Sequence, residues 1–522
     1  MVGGGIVGAG VARDASLRGL KVALVERGDF AQGTSSRSSK MVHGGLRYLE
    51  QRSFGLVSEA CAERRVLQRI APHLVRPRSF VVPAYRGEKP SRLAVEAGMW
   101  VYDAVALFRN TRMHRPLSAR AIANMEPGLR REGLAGGGLF FDCITDDARL
   151  TLANALDAAA HGAAVANYVE VTAVSTKGDS VTGATVRDTF TGEDTEVAAR
   201  AVVNAAGPWS DTVSRLAEAS TKARVRLTKG VHITVPRARL NHVRALVLRT
   251  PQDRRVFFAV PWGPLSLIGT TDTDFEGNPD DVRAEPKDVR YLLEAASHCF
   301  PDAALTKDDV VGAYAGLRPL AREEGLAPSS VSREHSIFVG PRGFVTVVGG
   351  KLTTYRRMAR EIVDEALLSV RLSARRTSTA KRALPGGRGL PAQPSAAAGA
   401  IARRWKVDAE EADALYFLHG SDVGDVLGDA PALHRARLHP ELPYLRASAV
   451  WAFAHERAER LEDTLVRRIP VSVRLRDGGA SIAADVSKLV AAAAGWDIAA
   501  RDAEFESYMK RVDREGAWRR EM

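Results

Sequence analysis

Cysteine is scarce: the three in 522 residues (Cys61, Cys143, Cys299) show no metal spacing and no C-x-x-C. That fits a reducing compartment and reads each thiol as a small core hydrophobe. No stretch reaches about 18 uncharged apolar residues, so nothing is expected to span a membrane. The start lacks the charged n-region of a secretory signal and runs into Arg13 and Asp14. There is no nucleic-acid motif and no internal repeat. The basic residues are dispersed, so a net charge of +12 ranks nucleic acid below anionic substrates and an anionic membrane surface. Chain ahead of the first motif is also short. Only Met1 and Val2 precede Gly3, where a strand of about five residues belongs. The expectation is a start lying upstream, or a first strand that is nearly absent.

What is present begins at that point. Gly3-Gly4-Gly5-Ile6-Val7-Gly8 fits G-x-G-x-x-G, and Glu26 closes the apolar run Val22-Ala23-Leu24-Val25. Strand, glycine turn, helix and acid in this layout predict a βαβ dinucleotide site. Gly3 allows the tight turn, Gly5 admits the pyrophosphate, Gly8 lets helix pack on strand, and Glu26 takes ribose hydroxyls. The hydroxyl-rich stretch from Gly33 to Lys40 follows as a cofactor loop.

Further on, helices are predicted over about Leu56–Ile70 and Leu150–His161, with a loop-rich stretch punctuated by Pro72, Pro77, Pro83 and Pro90. Leu93 to Phe108 reads as an amphipathic helix flanked by Arg92 and Arg109, facing either a core or a membrane surface. Strands are predicted over Val181–Val186 and Thr195–Val197, and residues 225–275 should build a second sheet. Ala205-Ala206-Gly207 and Gly349-Gly350-Lys351 end strands where backbone can pass close to a nucleotide. Arg371 to Arg388 and Pro391 to Pro394 read as a linker, and the chain beyond about 395 as helical.

The chain resembles the FAD-dependent respiratory, aerobic-type glycerol-3-phosphate dehydrogenases. The carrying motifs are Gly3 to Gly10, Thr34 to Lys40, His43-Gly44-Gly45-Leu46-Arg47-Tyr48-Leu49-Glu50 and Asp146-Asp147-Ala148-Arg149-Leu150. Lys229-Gly230-Val231-His232, Gly269-Thr270-Thr271-Asp272, Gly316-Leu317-Arg318-Pro319-Leu320 and Gly349 to Tyr355 continue the set, with Arg457 to Arg468 in the C-terminal part. The implied fold is α/β (α+β): an FAD-binding Rossmann-like domain with a D-amino-acid-oxidase-like antiparallel-sheet substrate domain, plus a C-terminal helical domain. The oxidoreductase region would span 1–384, with FAD-binding segments at about 1–80, 145–225 and 335–370. Substrate segments would lie at about 81–144 and 226–334, and the helical domain at 385–522.

The resemblance implies oxidation of sn-glycerol 3-phosphate to dihydroxyacetone phosphate, with hydride passing from C2 to flavin N5 and electrons to a membrane quinone. FAD would be noncovalent, since no histidine or cysteine matches a covalent attachment. Its candidate contacts are Gly3, Gly5, Gly8, Glu26, Thr34, Ser35, Ser39, Gly44, Gly45, Ala206, Gly207, Gly350, Leu352 and Thr353. A phosphate ester carrying about −2 of charge needs fixed cations. Arg47, Tyr48, His232, Arg318, Arg333 and Lys351 are the candidate substrate contacts, with His232, Arg318 and Lys351 catalytic. His232 would be the base, and Arg318 could instead stabilise the developing alkoxide.

A peripheral place on the inner, cytoplasmic face of the cell membrane follows from the quinone. A homodimer through the C-terminal domain is a further candidate. Rival readings are an oxidase making hydrogen peroxide, an amine or amino-acid oxidase, and a non-catalytic basic binding protein on a flavin fold.

Overall fold

The computed structural model describes residues 1–49, 53–322, 335–390 and 394–522, the side chains of Arg47 and Tyr48 excepted. Its first layer is a mainly parallel sheet threaded through Val2, with His335–Val339 added antiparallel at Phe344–Gly349. Val2 bridges Val25 on one side and Asn204 on the other. Ala23–Glu26 pairs in parallel with Ala164–Asn167, and Val202–Asn204 in parallel with Phe344–Gly349. Val2 occupies the place of the first strand, held by Val2 N–H to Val203 O and Gly3 N–H to Val25 O, both 2.9 Å, and Met1 O accepts from Val25 N–H at 3.0 Å.

Helix Ile6–Leu17 leaves this sheet directly. Its Ala9 and Ala12 are fully buried. Small residues let it approach Asp147–Ala160, whose Ala155 and Ala158 are equally buried and whose N-cap Asp146 accepts from Arg149 N–H at 3.0 Å. Gly8 is required here: a Cβ at that position would lie 1.9 Å from Gly3 O.

The second layer is a ten-stranded sheet whose centre is formed by Val225–Pro236, Leu265–Gly269, Val256–Trp262 and Ala245–Arg249. The expected antiparallel sheet is in fact mixed, because Ala245–Arg249 meets Arg76–Tyr85 in parallel. The chain between them is long enough for the crossover that such a pairing requires. Arg76–Tyr85 is a strand where prolines suggested loop. Pro77 and Pro83 fall outside its two-sided stretch at Phe80 and Val81, where a missing N–H costs least. Helix Pro286–Cys299 covers one sheet face with Val289, Leu292 and Ala296, its start closed by a Glu285–Asp288 capping box.

The basic segment read as a linker is pinned to the first layer. Buried Arg13 donates to Arg382 O at 2.9 Å, and Leu384 N–H to Ile70 O at 2.8 Å. Beyond it the chain is helical, from Pro394–Trp405 to Ile498–Glu521, around a separate core that includes Leu461, Leu465, Ala483 and Val490. All three cysteines are buried. Among the described residues no helix is long and apolar enough to cross a membrane.

Candidate functional site

A cleft of about 460 Å³ runs along the C-terminal edge of the parallel sheet. Gly3, Gly5, Glu26, Thr34, Ser35, Ala206, Gly207, Gly350 and Leu352 line it, as does Lys351. Helix Ile6–Leu17 points its N-terminus at this cleft and carries no acid in its first turn, so its dipole favours an anion there. Ser35 Oγ accepts from Ile6 N–H at 2.9 Å, which draws the hydroxyl loop over the glycine turn. A Cβ at Gly5 would meet only that Oγ, and one at Gly207 nothing within 4 Å, so the cleft wall is open on both sides. The residues present fit a pyrophosphate-bridged dinucleotide.

Glu26 receives Gly4 N–H at 2.7 Å and Gly28 N–H at 3.0 Å. Burial raises its pKa even against those two donors. Trp209, with Arg27 stacked 4.6 Å above its ring, closes the far end of the same cleft. Neither was singled out from the sequence, although Trp209 ends the Ala205-Ala206-Gly207-Pro208-Trp209 run.

The candidate chemistry lies on the neighbouring sheet. Strands Val225–Pro236 and Gly312–Ala321 pair antiparallel with His232 opposite Tyr314. The two rings stack at 4.9 Å and 14°. Ser39, expected at the flavin, is placed against this imidazole, its Oγ 2.8 Å from Nε2. Nδ1 has no hydrogen-bond partner among the described residues. Burial, then the Arg318 and Lys40 charges, push the His232 pKa down to about 3. The ring is therefore neutral at pH 7, far below the ordinary histidine value the sequence suggested.

Arg318 is held as a fork: Nη1 to Asp272 Oδ1 at 2.9 Å, Nη2 to Thr270 Oγ1 at 2.9 Å and to Thr271 O at 3.1 Å. Gly230 makes room for it, since a Cβ there would lie 2.3 Å from Nη2. Asp272 and Thr270 belong to the Gly269-Thr270-Thr271-Asp272 motif, whose role only this geometry reveals. Lys40 pairs with Asp147 at 2.6 Å. Burial opposes its charge, but the Asp147 and Asp146 carboxylates outweigh that and hold Lys40 above its usual range. Pro319, beside Arg318, and Lys351 line the same cofactor cleft. The structure thus brings together His232, Ser39, Arg318 and Asp272. The side chains of Arg47 and Tyr48, and all of Arg333, lie outside the described residues.

A second cavity of about 480 Å³ lies between helix Arg92–Val105 and the ten-stranded sheet. Phe80, Phe140, Val247 and Phe258 make it apolar, and His43 and Asp142 mark a polar end. That end adjoins the cofactor segment: His43 N–H donates to Thr353 Oγ1 at 3.1 Å. Gly44 N–H donates to Asp142 Oδ1 at 3.1 Å, and Tyr102 Oη to the same oxygen at 2.9 Å, with Arg64 paired to it. Gly45 takes a left-handed backbone (φ 78°) in this loop.

Known proteins are similar to this chain, some of them over nearly all of it. Residues 1–356 match a family model described as FAD dependent oxidoreductase, and residues 377–501 one described as the C-terminal domain of alpha-glycerophosphate oxidase. "Glycerol-3-phosphate dehydrogenase 2" of Mycobacterium tuberculosis is 40% identical over 532 residues, covering 99% of this chain and 88% of that protein. "Aerobic glycerol-3-phosphate dehydrogenase" of Staphylococcus aureus is 41% identical over 373 residues, 71% of this chain and 67% of its own length. The solved glycerol-3-phosphate dehydrogenase from Bacillus halodurans, complexed with FAD, superposes with a TM-score of 0.80 at 31% identity, covering 98% of this chain and 94% of that one.

Proposed function

This chain belongs to the FAD-dependent glycerol-3-phosphate dehydrogenase family, and from that premise we propose how its residues work and where its electrons go. It is an oxidoreductase that holds FAD noncovalently and oxidises sn-glycerol 3-phosphate to dihydroxyacetone phosphate. FAD, when bound, supplies the acceptor for the hydride that leaves C2. Gly3, Gly5, Ser35 and Glu26 would hold its adenosine diphosphate half, with Gly8 setting the turn through its close approach to Gly3 O. Thr34, Gly350 and Leu352 would shape the flavin side, with Thr353 bracing His43 behind them. The observation that carries the site assignment is a neutral buried imidazole beside a guanidinium fixed at 2.9 Å by Asp272 and Thr270.

His232 takes the C2 hydroxyl proton, and Arg318 donates to the C2 oxygen on binding and stabilises it as its charge develops. Lys351, with Arg47, Tyr48 and Arg333, attracts the phosphate. Anaerobic glycerol 3-phosphate should bleach the yellow holoenzyme, and glycine should not. The reverse result would mark an amino-acid oxidase.

Arg318→Met should weaken glycerol 3-phosphate binding roughly tenfold to a hundredfold, the value of one charge-assisted contact at about 1.5–3 kcal/mol. The substrate dependence of flavin reduction measures it. Asp272→Asn, which frees the guanidinium of its partner, should not weaken binding. Equal losses in both variants would assign Arg318 to Asp272 alone.

The acceptor we assign is a membrane quinone, reached from the inner face of the cell membrane. Helix Arg92–Val105 supports this. It buries Val95, Met99 and Tyr102 on one side and exposes Leu93 and Trp100 on the other, with Leu107 and Phe108 exposed just beyond. Exposed Arg92, Arg109, Arg112 and Arg115 surround that apolar face, a pattern suited to anionic headgroups. The same helix roofs the 480 Å³ apolar cavity that ends at His43.

The triple variant Trp100→Ser, Leu107→Ser, Phe108→Ser should abolish cosedimentation with anionic vesicles at low salt. It should also slow reduction of vesicle quinone while sparing reduction of a soluble dye. Wild type that stays in the supernatant would overturn the membrane assignment. Stoichiometric hydrogen peroxide would replace the quinone by oxygen.

A further inference from the structure

Asp29 has no solvent exposure and lies in the turn between Glu26 and the hydroxyl loop. Two arginines from the opposite end of the chain converge on it. Arg468 donates through Nη2 to Oδ1 at 2.8 Å and through Nη1 to Oδ2, and Arg467 Nε donates to the same Oδ2. Both belong to the π-helical turn Asp463–Arg468 of the C-terminal region, 438 and 439 residues from Asp29. Asp29, Asp463, Arg467 and Arg468 are all buried. Arg467 also pairs with Asp463 at 2.6 Å and Glu462 at 3.1 Å, and Arg468 donates to Glu456 O at 2.9 Å. Tyr168 Oη donates to Asp463 at 2.7 Å, and Asn167 Nδ2 to Arg457 O at 2.9 Å.

The turn that Asp29 anchors is a wall of the cofactor cleft. Ala31 N–H donates to Gly4 O at 3.1 Å, and Asp29 N–H to Gln32 Oε1 at 3.0 Å. Gly28 N–H braces Glu26 at 3.0 Å, and Gln32, Gly33 and Thr34 line the cleft itself. The turn therefore touches the glycine motif, the acid and the hydroxyl loop together.

We propose that the C-terminal region is part of the FAD site: Arg467 and Arg468 are positioning residues that hold Asp29, and through it residues 28–33, in the shape that retains the cofactor. This rests on the FAD assignment above. Burial would raise the Asp29 pKa, but the Arg468 and Arg467 charges overcome it and hold the carboxyl below its usual range. Removing one arginine leaves buried charge uncompensated, and the turn must move to relieve it.

The test follows FAD release from diluted holoenzyme by the rise in flavin fluorescence. Arg468→Met and Arg467→Met should each raise the FAD dissociation constant roughly tenfold or more. Arg468→Lys, which keeps the charge, should recover part of the loss. KM for glycerol 3-phosphate at saturating FAD should stay within about twofold, because His232 and Arg318 are held by partners of their own, Ser39, Asp272 and Thr270, and not by Asp29.

Arg149→Met is the control. Arg149 joins the same two regions through the Glu456 carboxylate and Leu418 O, both at 2.6 Å, rather than through Asp29. It should lower the melting temperature without releasing FAD. Should Arg468→Met fail to fold, Asp29→Asn carries the same expectation. FAD affinity unchanged in the arginine variants, or lost equally in Arg149→Met at the same melting temperature, overturns the proposal. Wild type that binds no FAD would instead overturn the cofactor assignment.

Discussion

Replacing His232 with glutamine should cut kcat by about 10²- to 10⁴-fold, the usual contribution of a positioned general base, and leave FAD bound. Glutamine keeps a polar group within reach of Ser39, so the loss reports basicity and not shape. In the free enzyme the imidazole is neutral down to about pH 3, because it is buried and faces Arg318 and Lys40. Protonation of His232 removes the base, so it cannot depress kcat/KM until pH falls well below 6. Arrival of a phosphate carrying about −2 of charge opposes the two cations and raises the imidazole pKa when the base is needed. The acid limb of kcat/KM should therefore lie near the second ionisation of the substrate, about pH 6, and should persist in His232→Gln. A limb that vanishes in the variant would assign it to His232 instead of the substrate, whereas a kcat reduced less than about tenfold would remove His232 as the base.

Gly8→Val should yield colourless protein. Its Cβ would lie 1.9 Å from Gly3 O and 3.1 Å from Gly3 C, and both are backbone atoms that no side-chain rotation can clear. The turn must open, which turns its N–H groups away from the pyrophosphate. Losing two such bonds at about 1.5–3 kcal/mol each weakens FAD binding by more than about a hundredfold. The ratio of flavin to protein absorbance measures it. Gly55→Ala is the matching control: helix Phe54–Ile70 has nothing within 4 Å of that Cβ, and the variant should stay yellow. A yellow Gly8→Val would show that the cofactor is held elsewhere.

Both results depend on features that differ in how far apart their residues lie in the chain. The glycine turn, its helix and Glu26 are contiguous, so spacing alone displayed them. The amphipathic pattern of 93–108 was equally local. Its buried Val95, Met99 and Tyr102 and its exposed Leu93 and Trp100 follow from helical periodicity. Proline misled where pairing is long-range. Arg76–Tyr85 is a strand because Gly136, Gly137 and Gly138 of its partner accept close backbone, as the 2.1 Å from a Gly137 Cβ to Val82 O shows.

Contiguous residues were thus enough to settle that this chain cradles a dinucleotide. Its family motifs, each a short run, were enough to name the chemistry. Folding alone decided that His232 is neutral, that Asp272 aims Arg318, and that the last helical region reaches back to Asp29. Charge and desolvation act through space, and the groups that set them stand hundreds of residues apart in the chain.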